Sequence, residues 1–172
     1  MRRSGGHRQR GLSLLEFKLA VIIVSLLIVF AFQRIASLQS DMERAAVRST
    51  VAAMREALSL QFARLVVDGD LAQARDYIGG NALALLHPPP AGYAGRVHHA
   101  HAADLRPGHW YYDAAAGTVL YRPAYGESSG ATTLLRWHVV PRWADVNGDG
   151  RYEPGTESVQ GLALVRIDES AR

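Results

Sequence analysis

Leu12 to Phe32 is the stretch that most limits what this chain can fold into. Among its 21 residues only Ser13, Glu16, Lys18 and Ser25 are polar, and Leu19–Phe32 carries no charge. At about 1.5 Å per residue, a helix of this length covers roughly 30 Å, the thickness of a bilayer core. Neither Pro nor Gly interrupts it. Backbone groups in lipid must find partners within their own segment, so the run reads as one continuous helix. Arg2, Arg3, Arg8 and Arg10 precede it, and positive flanks stay on the cytoplasmic side. Residues 1–11 are therefore expected in the cytoplasm and the C-terminal part outside it. A cleaved secretory signal would need small residues after the apolar run. Phe30-Ala31-Phe32-Gln33-Arg34-Ile35 follows instead, bulky and without a turn former.

The same arginines account for the apparent basicity of the chain. It carries 19 Lys and Arg against 16 Asp and Glu; with those four set aside, fifteen basic residues face sixteen acidic ones. Global charge thus gives no support to nucleic-acid binding. There is no cysteine, which removes disulfides and thiolate chemistry. No phosphate loop, Gly-x-Ser-x-Gly elbow or dinucleotide fingerprint occurs, and the expectation is that the chain is not an enzyme.

Glu16 breaks the apolar run. A carboxylate at that depth is costly in lipid and marks a functional position, unless it sits at the headgroup level and is simply solvated. Cleavage after Gly11 would make Leu12 a new N-terminus, and its amine in one subunit would neutralise Glu16 of a neighbour and fix the axial register of the two helices. Lys18 is two residues away, projects from a different helix face and is expected to snorkel to the headgroups.

Gly11-Leu12-Ser13-Leu14-Leu15-Glu16 follows a short basic leader and opens about sixteen apolar residues. The arrangement resembles the class III signal of type IV prepilins and type II secretion pseudopilins, closely over about residues 1–35. The resemblance implies cleavage after Gly11 by a prepilin peptidase, N-methylation of Leu12, and packing of N-terminal helices into a filament core. It implies as partners other pilin or pseudopilin subunits, a prepilin peptidase/methyltransferase and an inner-membrane assembly platform. The subunit would sit in a bacterial inner membrane with a periplasmic C-terminal domain, then in the pilus or pseudopilus. Leu12 stands where that family most often has Phe, and the helix lacks the Pro or Gly of major pilins, which favours a minor pilin or a pseudopilin. A ligand- or DNA-binding tip subunit and a non-assembling, single-pass anchored protein are the alternatives.

The helix is expected to continue to about Val66, with Ile35, Leu38, Met42, Ala45, Ala46, Ala52, Ala53, Ala57, Leu58 and Phe62 as its apolar stripe. Asp68-Gly69-Asp70 should stop it, with Asp70 capping a short second helix that Gly79-Gly80 ends. Asn81 is placed to cap a further turn through Leu86. Residues 88–108, rich in Pro, Gly, Ala and His, read as a surface loop. His109–Asp113, Thr118–Arg122, Thr132–Val140 (ended by Pro141) and Gly161–Asp168 read as strands. The fold class is α+β: a long N-terminal helix packed on a C-terminal antiparallel sheet of about four strands. The expected divisions are a leader over 1–11, a membrane and assembly half over 12–33, and a domain over 34–172.

Asp145, Asn147, Asp149, Arg151, Glu153 and Glu157 form the one local motif with metal-binding chemistry. Carboxylate and amide oxygens alternate around Gly148 and Gly150, Arg151 would offer its carbonyl, and the set is a candidate structural Ca2+ site. Thr156 holds the twelfth position of the loop and Glu157 the thirteenth, so the closing acid is out of register with an EF-hand. The competing reading is a bare Asn-Gly/Asp-Gly turn between two strands. His87, His98, His99, His101 and His109 are close in sequence, and a zinc or copper site there is set against an Ala/His loop.

Overall fold

The structure is a computed structural model that describes residues 14–125, 134–154 and 156–167. A single helix, α1, runs Leu14–Asp68. The chain divides into two units, Met1–Ser40 and Asp41–Arg172. The leader, Gly11 and Leu12 lie outside the described residues.

In the first unit, α1 is apolar all round from Leu19 to Phe32, apart from Ser25. Every residue from Leu14 to Arg34 is exposed, and the helix is long and apolar enough to cross a membrane.

In the second unit the helix becomes amphipathic. Val47, Val51, Met54, Leu58 and Leu65 are buried, with Phe62 packed beside them. They recur every three or four residues and so share one face. This corrects the expected stripe: Leu38 and Met42 are exposed, and Ala52 is exposed where Val51 and Met54 face the core. Gly69 ends the helix at φ 73°. The Asp70 N–H reaches back to the Leu65 carbonyl at 3.0 Å and the Gly69 N–H to that of Val66, the glycine-capped ending that satisfies orphan carbonyls. Asp70 does not cap the next element, a 3₁₀ helix over Leu71–Tyr77; its carboxylate accepts from the Gln73 side chain instead. Asn81 does cap, accepting from the Leu83 N–H at 3.1 Å at the head of a 3₁₀ turn over Ala82–Leu85.

Among the described residues five strands follow: β1 (Tyr93–Val97), β2 (His109–Asp113), β3 (Thr118–Arg122), β4 (Leu135–Trp143) and β5 (Val159–Ile167). They lie in sequence order across one sheet. The architecture is α+β, but the sheet is mixed: β1 runs parallel to β2 and the remaining pairs are antiparallel. The 88–108 segment is therefore not all loop. It contains β1 and a 3₁₀ turn at Ala102–Asp104. A parallel neighbour needs a crossover, and the crossover between β1 and β2 covers the outer face of the sheet. There Leu105 joins Tyr111, Leu120 and Leu134 in a second cluster, the Arg106 N–H donates to the Tyr111 hydroxyl at 2.7 Å, and Arg122 donates to the Leu105 carbonyl.

The helix face of the sheet is Trp110, Tyr112, Val119, Tyr121, Trp137, Val139, Leu162 and Leu164, all buried against α1. Trp110 stacks between Tyr121 and Trp137 at centroid distances of 4.8 and 5.4 Å. Leu135, Trp137 and Val139 share this face as expected.

Pro141 does not end β4, which runs on to Trp143. Pairing with β3 stops at His138, and the Val139 carbonyl on that side accepts from Gly79 at 2.9 Å. Two residues on, the missing N–H of Pro141 falls on an edge that no described strand occupies, where proline is tolerated. Gly79 fits this place because it sits at φ 66°, and the close approach also calls for glycine at 117, where a Cβ would lie 3.0 Å from the Gly79 carbonyl. The Tyr112 hydroxyl donates to that same carbonyl at 2.7 Å. Residues 132, 133 and 168, expected in strands, lie outside the described set.

Candidate functional site

Three regions hold the residues that sequence or geometry singles out. The first is the start of α1, where Glu16 is the acidic residue of the opening turn. A carboxylate within the first turn is favoured by the helix dipole, and from Leu19 onward the exposed surface is apolar. The structure places Glu16 in the first turn of the described helix; the expected processing residues Gly11 and Leu12 lie outside the described residues.

The second is the loop between β4 and β5. Asp145 accepts from the N–H groups of Gly148 and Gly150 at 2.6 and 2.9 Å, Asn147 from Asp149, and Asp149 from Arg151 at 2.7 Å. Glu157 is buried and accepts from the Val146 and Glu153 N–H groups at 3.2 and 3.0 Å. Its carboxylate thus closes the loop, which neither calcium coordination nor a bare turn required. The foot of the loop is apolar: Trp143 stacks on Tyr152 at 5.8 Å, and Tyr152 packs against Leu65, Ala74 and Val159. Among the described residues no three His, Asp or Glu side chains converge as a metal-binding group, and this holds for the acidic loop and for the histidines near 98–101. Arg151 and Glu153 stand exposed on the loop.

The third region was not legible in sequence. Glu43, on α1, accepts from the Tyr121 hydroxyl at 2.8 Å and from the N–H groups of Ala124 and Tyr125 at 2.7 and 2.9 Å. One helical carboxylate thereby holds the end of β3 and the chain that leaves it. Burial, with Glu43 beside it, pushes the Tyr121 pKa upward, so the phenol stays a donor. Beside Glu43 a groove of about 650 Å³ opens between α1 and the β3–β4–β5 end of the sheet, lined by Arg44, Arg48, Arg55, Tyr125, Trp137 and Arg166 among others.

One further carboxylate, outside these three regions, is structural. Asp113 ends β2 and accepts from the N–H groups of His99, Ala100, Ala115 and Ala116. Burial alone pushes its pKa up, but the backbone donors outweigh burial and hold it below the ordinary carboxylate value. It shapes the β2–β3 turn and pins the histidine-bearing segment, where His99 adopts φ 55°.

Comparison of the chain with models of known protein families, with curated proteins and with solved structures finds no match in any of the three.

Proposed function

We propose that the chain is a structural subunit, a minor pilin or pseudopilin, of a type IV pilus or type II secretion pseudopilus. The observation that carries this reading is the first part of α1. It exposes apolar side chains on every side from Leu19 to Phe32, after a leader ending in Gly11 and an acid at position 16. Such a surface needs lipid at one stage and other helices at another. The proposed sequence of events is insertion into the inner membrane with the folded domain in the periplasm, cleavage after Gly11, methylation of Leu12, and extraction into a filament by an assembly platform. In the filament the Leu12 amine of one subunit meets Glu16 of its neighbour, an ion pair that neutralises both charges in an apolar setting and sets the axial step. The chain is acted on by a peptidase/methyltransferase and performs no catalysis itself.

The test is the mass of the mature N-terminus in a host that has the peptidase. A chain that begins at methylated Leu12 supports the proposal. An uncut chain beginning at Met1 favours an anchored protein that never assembles.

We also propose that the loop bearing Asp145, Asn147, Asp149, Arg151, Glu153 and Glu157 takes a structural Ca2+. The supporting observation is chemical: hard oxygen donors alternate around two glycines, the donor set that suits this ion. Glu157 already ties the loop through backbone hydrogen bonds, so calcium would reinforce a formed loop rather than create one.

A further inference from the structure

The groove beside Glu43 collects four arginines. Arg44, Arg48 and Arg55 lie along one flank of α1, and Arg166 comes from the sheet. On β5 the residues facing the helix run Leu162, Leu164, Arg166, so a guanidinium takes the place of the next apolar residue; Arg166 is opposite Trp137 in the β4 register. Arg44 and Arg48 are four residues apart, a spacing at which like charges repel. Arg44 pairs with Asp41 at 3.5 Å, and Arg55 donates to the Leu164 carbonyl at 3.4 Å. Arg48 has no hydrogen-bond or ion-pair partner among the described residues, and the carboxylate of Glu43 is taken by Tyr121 and two backbone groups. Tyr125 and Trp137 supply an apolar wall. A half-open, arginine-rich groove of about 650 Å³ has the size and chemistry to receive carboxylate side chains.

The same chain carries the complement. The β4–β5 loop has four carboxylates against one arginine. Asp149 and Glu153 are exposed, and the Glu153 carboxylate has no partner among the described residues. The loop cannot reach its own groove. The groove lies by Leu135 and Trp137, the loop follows Trp143, and β4 stays paired with β5 between them. At about 3.3 Å per residue, Trp137 and Trp143 are about 20 Å apart.

We propose that the groove binds the acidic β4–β5 loop of a second copy of this chain when that loop is free of Ca2+, with Asp149 and Glu153 meeting Arg44 and Arg48. Two different patches joined head to tail form a heterologous contact, which propagates as an open filament wherever its rotation does not close a ring. Choosing a second copy over an unrelated acidic peptide rests on the filament reading above.

The test uses the full-length chain in detergent micelles, with a chelator present so that no cation masks the loop, and follows self-association by sedimentation velocity. One variant carries Arg44→Glu with Arg48→Glu, the other Asp149→Arg with Glu153→Arg. All four side chains are exposed, and near-UV circular dichroism checks that each variant keeps its aromatic core. Each variant alone should associate about a hundredfold more weakly than the parent, because like charges then meet. An equimolar mixture should recover association, since each variant supplies what the other lacks. A monomeric parent, a variant that associates as the parent does, or a folded pair that fails to recover on mixing overturns the proposal. The mass of the mature N-terminus is read separately, so loss of this contact leaves the filament reading standing, and an uncut chain that still shows charge-swap recovery leaves the contact standing.

Discussion

The two parts of α1 obey opposite rules. From Leu14 to Arg34 no residue is shielded, and the apolar side chains point all round. From Val47 to Leu65 the buried apolar side chains fall on one face, where they meet the sheet, while Leu60 stays exposed. The difference is one of solvent. A helix that is apolar all round fits an apolar medium, whereas a striped one fits the boundary between a core and water. Hence the first part contributes little to folding the domain and much to where the chain resides, and the second part does the reverse.

Changes at Glu16 should have the largest effect. Glu16→Ala is expected to reduce incorporation into filaments to background while membrane insertion is unchanged, checked by fractionating membranes and sheared filaments; normal incorporation would remove the role given to Glu16. Met54→Ala, in the striped part, should cost the domain about 2–5 kcal/mol, because Met54 is wholly buried and its truncation leaves a cavity. Leu26→Ala, in the exposed part, should alter domain stability by less than about 0.5 kcal/mol. Denaturant titration of both in micelles tests the contrast, and equal losses would break it.

Glu43→Ala should destabilise by about 1–3 kcal/mol by leaving Tyr121 and two N–H groups without their acceptor. Glu43→Gln should recover part of that loss. The acid limb of stability should follow Asp113. Its folded pKa is depressed, so its contribution is present above the ordinary carboxylate value of about 3.9 and disappears as pH falls through the folded value. Asp113→Asn should lower stability at neutral pH by about 1 kcal/mol and flatten the decline below about pH 4, measured as melting temperature against pH. Calcium should raise the melting temperature by a few degrees when it is well above its dissociation constant. A melting curve indifferent to both chelator and calcium would remove the metal.

Much of the fold was legible in the sequence because its signals were local. His109–Asp113 and Thr118–Arg122 announce themselves by aromatic and β-branched residues, and both strands have those bounds. Asp68-Gly69 punctuates the helix in sequence as it does in space. The failures are non-local. Alanines between Val47, Val51 and Met54 count as apolar and blur the stripe, so its true members emerge only once the sheet selects a face. Tyr93-Ala94-Gly95-Arg96-Val97 lacks strand alternation, with Gly95 at φ 102°, and becomes β1 through its partner β2. Pro141 is compatible with a strand because no described strand pairs with that edge of β4 there. As for the candidate site, Glu16 and the acidic loop were visible as residues out of keeping with their surroundings. Glu43 was not, since a glutamate on a helix looks like ordinary surface charge and its partners lie about 80 residues away.

The β4–β5 hairpin has one further consequence. Its strands are nine residues each and are paired from Arg136–Ile167 to Trp143–Val159, which makes it a stiff spacer between the arginine groove and the acidic loop. A spacer of this kind acts as a gauge. Removing two residues from each strand would keep every side chain on its present face and bring the two ends about 6.6 Å closer. The repeat distance of any head-to-tail assembly would then be written in the length of a hairpin, and could be edited in steps of two residues.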